Sequence, residues 1–509
     1  MPFEPIFEDI NLTQNAGVIK EQIKAECKTE VPSAVVSRIL SVTARAVVSK
    51  VEINDKQLCY QGKTTFFVCF EQEDGSVSKC ECGTEFKGCI SDSRFNGCKV
   101  QARAIIEKTE ADVSGVRLAV VGYLTIEAQV TECKKVHVLT GGKGLITDGK
   151  DISVCKSYGL RESIFPIEEE FELDYKVQDV LSQRAEPHVT AVQCGVGCII
   201  VDGEVALSSI LLQNKEKNDI IRENKILPFR AEIECEDAMP SMSATAYVQE
   251  KTFKTDVAVD QENNKSIVRA SVQLALSGEA FYNENVHLIG DAFSVKEAVQ
   301  IEKQDLSYSR PCDVLSDSAQ ITLTAVTDSL PAGTTLNSCF GEKIEVLSVD
   351  CKDSRLCVNG VFYVTCLFKD ADGKIFSRKL ESPFEASTQI SGECDYDYTV
   401  RALASMARVR LLSDTQIEIS TKLSLTVYPF EKCKISLIKE VKSLGAKPIE
   451  NHAISVYIPY EGEELWSLAK RLNVDPQSLV ATNQDLQFPL SGKERIVVYR
   501  QGFSQETIE

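Results

Sequence analysis

The sequence predicts a mainly β protein: three tandem antiparallel units, each sandwich- or barrel-like, followed by a small βααβ module. Three observations carry this. Long runs of alternating apolar and polar residues recur along the chain, the period-two signature of a strand with one buried face. A short apolar tag closes each set, at Val136-His137-Val138-Leu139, Val286-His287-Leu288-Ile289 and Ile435-Ser436-Leu437-Ile438, with nearly constant spacing between the tags. After the third tag the period changes from two to 3.6, so the C-terminal end is built differently.

The elements follow in order. Residues 1–30 read as an N-terminal segment that is partly helical, with a helix-like stretch from Gln14 to Cys27. Residues 31–140 are the first β unit. It holds Gln61-Gly62, then Phe86, then Ala102 and Ala104, then a strand through Leu124 and Ile126 to the tag. Residues 141–174 read as linker, containing Gly141-Gly-Lys-Gly144 and Ile167-Glu-Glu-Glu170. The second unit, 175–290, repeats the order with Asp202-Gly203, Pro228-Phe229, Ala244 and Ala246, and an alternation over Val268, Ala270, Val272, Leu274 and Leu276. The third, 305–438, does so with Asn359-Gly360, Pro383-Phe384, Ala402 and Ala404, and Ile417, Ile419, Leu423, Leu425 and Val427. Asp-Gly and Asn-Gly between apolar runs predict tight hairpin turns. Small residues on one strand face predict close approach of a second sheet. Residues 439–452 read as a second linker and 501–509 as a tail.

In the C-terminal module, residues 453–500, Leu465, Leu468, Ala469 and Leu472 fall on one helical face. Glu463 and Glu464 are read in the first turn of that helix, where its dipole favours acids. Asp475-Pro476 starts a second short helix to Thr482, with Asp as N-cap and Pro in the first turn. Ile454, Val456 and Ile458 open the module as a strand, and Ile496 and Val498 close it. Trp466 is the single tryptophan. It is either a contact residue or packed on its own core, and core packing is the favoured reading.

Composition narrows the partners. A net charge of -19 and a pI near 4.9 repel phosphate backbones and anionic lipid, so nucleic acid is not expected and a basic protein surface is. The acidic N-terminus lacks a secretory h-region, and apolar runs such as Leu118–Leu124 are too short to span a bilayer. No transmembrane segment is expected, a cytoplasmic location is, and the 19 cysteines should be reduced thiols. Cys80, Cys82, Cys89 and Cys98 crowd together, but at spacings unlike paired zinc knuckles. Gly141-Gly-Lys-Gly144 lacks the phosphate-loop spacing. Of four histidines, His137 and His287 occupy matching places in two tags, whereas His188 and His452 stand alone. The sequence therefore predicts no catalytic residues, no metal and no cofactor: not an enzyme.

The unit pattern, an Asp/Asn-Gly pair, a Pro-Phe, an Ala-x-Ala strand and a long alternating strand, resembles the SPOCS domain. The last fifty residues resemble a LysM domain through Gly462, Leu465, Asn483 and Gly492. Three such units and one LysM-like module resemble the SipL-like spore coat morphogenetic proteins. The first unit departs from the pattern, lacking the Pro before Phe86 and the Asp/Asn before Gly62. The resemblance implies a scaffold or adaptor in endospore coat assembly, cytoplasmic in the mother cell at the forespore surface. It implies docking through the LysM-like module onto the coat scaffold ATPase (SpoIVA-like). The loops it assigns to partner binding supply Tyr460, Glu461, Gly462, Glu463, Glu464, Leu465, Trp466, Asn483, Leu486 and Gln487. The family's usual Gly-Asp-Thr is Gly462-Glu463-Glu464 here, and an acidic loop favours a basic protein over a neutral peptidoglycan glycan. Glycan binding, and an enzyme site assembled across the β units, are the alternatives.

Overall fold

A computed structural model describes residues 4–31, 35–260, 265–390, 395–448 and 454–499. The described chain is mainly β, arranged in several antiparallel sheets. The first strands are β1 (Glu4–Glu30), β2 (Val36–Asn54), β3 (Gln57–Gln72), β4 (Val77–Ser91), β5 (Cys98–Ser114) and β6 (Arg117–Lys143). They form a sheet in the order β1-β6-β5 and a meander β2-β3-β4.

The same plan follows twice more. The second copy has β7 (Ile146–Ser157), β8 (Arg161–Leu173), β9 (Asp179–Cys194), β10 (Cys198–Asn214), β11 (Asp219–Glu234), β12 (Ser243–Asp260) and β13 (Lys265–Phe293). The third has β14 (Glu297–Pro311), β15 (Leu315–Val326), β16 (Thr335–Lys352), β17 (Arg355–Lys369), β18 (Ile375–Gln389), β19 (Tyr396–Leu411) and β20 (Gln416–Ala446). Each copy closes on a very long strand, β6, β13 or β20, flanked on one side by the strand before it. On the other side lies the copy's opening strand, continuous in β1 but split into β7 and β8, or β14 and β15. Within each copy the two sheets pack face to face. Phe66 and Phe70 meet Leu124 and Ile126 in the first, Ile199 and Val201 meet Val272 and Leu274 in the second, and Phe362 and Phe368 meet Ile417 and Ile419 in the third.

Several expectations change. The described part of the N-terminal segment is not partly helical: Glu4–Glu30 is one extended strand on β6, with a bulge at Asn15/Gly17 that breaks its alternation. Residues 141–174 are not linker, because they finish β6 and supply β7 and β8, which pair with the two halves of β13. Residues 439–446 continue β20, so the second linker is shorter than expected. Residues 501–509 and His452 lie outside the described residues.

The Asp-Gly and Asn-Gly pairs are not turns. Gly203 and Gly360 sit in mid-strand, directly opposite Phe229 and Phe384. Gly62 is placed identically opposite Phe86, so the first copy conforms once glycine, and not its neighbour, is the marker. A Cβ on Gly62, Gly203 or Gly360 would lie 2.3, 2.4 or 2.6 Å from the opposing phenylalanine ring. The ring covers the glycine backbone, and only glycine leaves room for it.

The tags join the copies. Consecutive tag residues point to opposite strand faces, yet both are buried. Val138, Leu288 and Leu437 share one apolar cluster, and Leu139, Ile289 and Ile438 share a second. One or two residues further on, each strand carries an unpaired bulge residue, Thr140, Gly290 or Lys439. A bulge adds local twist, which turns each face toward a neighbour. The meanders meet in another three-way cluster that includes Leu40, Leu212 and Phe340. Ion pairs cross every seam: Arg45–Glu250 between the first and second copies, Arg222–Glu342 between the second and third, and Lys343–Glu107 between the third and first.

Gly203→Ala should therefore destabilise the chain by about 2 kcal/mol or more, read as a lower urea midpoint with an unchanged slope. Phe229→Leu in the same chain should recover part of the loss. Additive losses would show that the ring and the glycine are not coupled.

Candidate functional site

The C-terminal module pairs β21 (Ile454–Tyr457) with β22 (Ile496–Tyr499) and packs α1 (Leu465–Leu472) and α2 (Pro476–Thr482) on one side of them. Leu468, Ala469, Leu472, Leu479, Leu490, Ile496 and Val498 form its core. Asp475 caps α2 by accepting from the Gln477 N–H at 3.1 Å, with Pro476 behind it. Helix α1 begins at Leu465, so Glu463 and Glu464 lie before its first turn and not in it.

The two loops expected to bind a partner do come together. Gly462 N–H donates to Leu490 O at 2.8 Å, and Leu490 N–H to Glu463 O at 3.0 Å. Their side chains serve different ends. Glu463 is buried, accepting from Arg471 Nε and Nη2 at 2.8 and 2.7 Å and from Tyr460 N–H at 2.9 Å. Arg471 holds its carboxyl below the usual carboxylate range. Leu465 and Leu486 pack against the core. Asn483 uses its amide to bond both backbone groups of Val497, at 2.8 Å each, closing the outer edge of β22. Gly462, with φ of 78°, makes the turn. Tyr460, Glu461, Glu464 and Gln487 remain exposed.

Trp466 leaves the module. Its Nε1–H donates to Asp291 Oδ2 at 2.8 Å, and its ring meets Phe293 edge-on at 5.2 Å. Lys470 Nζ reaches both Asp291 oxygens at 2.7 Å, and Asn473 donates to Val295 O at 2.8 Å. Burial would raise the Asp291 pKa, but Lys470 and Trp466 together hold it below its ordinary value. Helix α1 is thus clamped to the end of β13.

The surface left open is the outer face of the small sheet. Ile454, Val456 and Tyr499 on it are 58–60% exposed, with Ile454 directly opposite Tyr499; Ile458 and Tyr460, just beyond β21, are 69% and 67% exposed, the Tyr460 ring lying 4.5 Å from the Arg471 guanidinium. Among the described strands β21 pairs only with β22, so its outer edge is open too. Reading the module loop by loop missed this face. Its signal was the alternation Ile454, Val456, Ile458 on a strand whose other face also packs.

Other chemistry-bearing groups are accounted for locally. His137 and His287 pair with Asp9 and Asp151 at 2.9 and 2.8 Å on exposed strand surfaces. His188 does not stand alone. Its Nε2 lies 2.9 Å from Ser316 Oγ and its Nδ1 3.1 Å from Thr426 Oγ1. A hydroxyl occupies the place where a catalytic triad requires a carboxylate. His188 is 7% exposed on the seam between the second and third copies, and burial pushes its pKa down to about 4. Cys59 and Cys89, opposite one another on β3 and β4, are disulfide-bonded, unlike the free thiols expected. Cys80, Cys82 and Cys98 remain free, and among the described residues no group of three or more His, Cys, Asp or Glu could hold a metal. No helix there is long and apolar enough to cross a membrane.

No protein-family model, curated protein or solved structure matches the chain.

Two outcomes follow from these contacts. Trp466 alone reports on the clamp, so Asp291→Ala should red-shift tryptophan emission and increase acrylamide quenching; unchanged spectra would mean the clamp does not form in solution. His188 has a depressed folded pKa, so the unfolded chain binds the proton more readily. Its contribution to stability is full above about pH 6.5 and is lost as pH falls toward 4, by about 3 kcal/mol in all. Glu250, raised to about 7 by burial despite Arg45, acts in the opposite sense. Comparing His188→Gln with the parent across that range isolates the histidine: the variant should lose less stability on acidification.

Proposed function

We propose that this chain is a non-enzymatic scaffold of the SipL-like kind, with three SPOCS-like β domains and a C-terminal LysM-like domain. It acts in endospore coat assembly, in the mother cell at the forespore surface, and docks through the LysM-like domain onto the coat scaffold ATPase.

One observation carries the docking: the exposed apolar side chains of Ile454, Val456 and Tyr499 on the small sheet, with Ile458 and Tyr460 just beyond β21. A face of this kind, beside an open strand edge, suits a protein surface, since aromatic and aliphatic anchors supply most interface energy. The exposed acids Glu461 and Glu464 lie at one end of it, and the chain's acidic field steers a basic partner. A glycan would need polar groups in the loops. There, the Glu463 carboxylate is committed to Arg471 and the Asn483 amide to the β22 edge, so protein is the better-supported ligand. The β domains, joined at apolar three-way clusters, give that docking face a rigid base.

Ile458→Arg should abolish co-purification of the coat scaffold ATPase from sporulating cells, by at least tenfold, while leaving the melting temperature within about 1 °C, because its side chain is 69% exposed. Truncation after Glu450 should do the same. Retained capture by both variants, or retention of the wild-type chain on purified peptidoglycan instead, would refute the docking.

A further inference from the structure

The cations that bridge the copies meet carboxylates: Arg45 meets Glu250, Lys99 meets Glu279, Arg222 meets Glu342, Lys343 meets Glu107 and Lys422 meets Glu204. Arg401 is the contrast. It lies on β19, opposite Thr426 of β20, and its guanidinium sits 4.6 Å from the centre of the Tyr247 ring of the second copy and 5.8 Å from that of Tyr428. The two tyrosines stack at 4.3 Å, 14° from parallel, across the seam. No carboxylate or other hydrogen-bond acceptor among the described residues reaches Arg401.

The first copy brings more positive charge to the same place. Lys20, Glu127 and Arg103 are cross-strand neighbours on β1, β6 and β5. Lys20 Nζ holds one Glu127 oxygen at 2.7 Å, and Arg103 Nε and Nη2 hold the other at 2.9 and 2.7 Å. Arg103 and Glu127 both act electrostatically on Arg401. The junction therefore gathers three cations and one carboxylate in a chain whose net charge is -19. Guanidinium does not deprotonate in proteins, and stacking on tyrosine leaves its in-plane N–H donors unused.

A second donor is at hand. Tyr428 Oη–H is spent on Ala246 O at 3.0 Å, whereas the Tyr247 hydroxyl has no acceptor among the described residues. Tyr247 also lines a cavity of about 50 Å³ with Gln101 and Gln129, on a wall that Arg401 does not share. The remaining acid at its wall, Glu279, is neutralised by Lys99 and also bonded by Ser157.

We propose that the junction of the three copies binds a doubly charged oxyanion of the phosphate type, held by the Arg401 guanidinium and the Tyr247 hydroxyl, with Arg103 as flanking charge. Two parallel N–H donors on a planar fork fit adjacent oxygens of a tetrahedral oxyanion. A double charge matches the surplus of two cations, where chloride or acetate would leave one uncompensated. Because the ligand joins a residue of the second copy to one of the third, it would lock their relative placement. This site stands apart from the docking face and does not depend on the coat reading.

Thermal unfolding of the full-length chain, titrated with sodium phosphate against sodium chloride at matched ionic strength, tests it. Phosphate should raise the midpoint saturably, by about 3 °C or more at a large excess over the dissociation constant. Arg401→Met should abolish that phosphate-specific rise, and Tyr247→Phe, which keeps the stacked ring and so the seam, should weaken the apparent affinity about tenfold. A phosphoserine peptide that reproduces the rise would identify a phosphorylated side chain as a competent source, and a rise with phosphate alone would identify the free ion. Equal response to phosphate and chloride, or a phosphate response that survives in Tyr247→Phe and Arg401→Met alike, would overturn the site.

Discussion

The burial of both faces of the tag strands is the constraint on which the rest of this molecule depends. A strand buried on two faces normally reads as a continuous apolar run. In the tags Val138-Leu139, Leu288-Ile289 and Leu437-Ile438 are so buried, and their clusters each draw on all three copies. No copy can complete either cluster alone. A cluster built from register-equivalent positions also forces the copies into equivalent orientations, so the seam ion pairs need only be compatible with a geometry that apolar contact has set. That division suits their energetics: the partly exposed Arg45–Glu250 and Lys343–Glu107 pairs add little on their own, and the buried Arg222–Glu342 pair offsets its attraction against the cost of desolvation.

The strand character of most of the chain was legible because alternation is a direct image of the pleat. The tags were legible because three copies repeat them. What failed were local signals overruled by pairing at long range. Asp202-Gly203 and Asn359-Gly360 carry the strongest short-range hairpin signal, yet a phenylalanine on the neighbouring strand requires the glycine for its own ring. The recurrence of Gly62 without Asp or Asn was the available clue. Residues 141–174 failed for a related reason: they form strands only because β13 extends far enough to pair with them twice. At Gln14 to Cys27 the bulge near Gly17 shifted the apolar positions by one residue and imitated a helical spacing.

The C-terminal module was legible in its helices, apart from the start of the first, and much less so in its surface. Helix periodicity, the Asp475 cap and Pro476 are local, so they survive folding unchanged. Whether an acid such as Glu463 faces solvent depends on Arg471, eight residues away across a helix, and whether Asn483 is a ligand group depends on Val497 fourteen residues on. Side chains that look like recognition groups in a loop are here the groups that hold the loop. The exposed apolar surface of the module is left to Ile454, Val456 and Tyr499, which the sequence shows only as strand residues.

The same bulge that follows the second tag also places the module. Ile289 closes a three-way cluster, Gly290 is unpaired, and Asp291 receives Trp466 and Lys470. One residue separates the junction from the clamp, so a change in twist at the junction would move Asp291 and Phe293 directly. The register-equivalent positions of Asp291 and Phe293 are Gly141 and Lys143 in the first copy and Glu440 and Lys442 in the third. Neither pair offers an acid beside an aromatic ring, and lysine at the second position would repel Lys470. Three copies present the same strand end, and charge and ring contact choose the one that receives the module. The exposed sheet of β21 and β22 is therefore oriented by the three-way packing of the β copies through the clamp at Asp291, with Lys447 adding bonds to Ser294 O and Asn473 Oδ1.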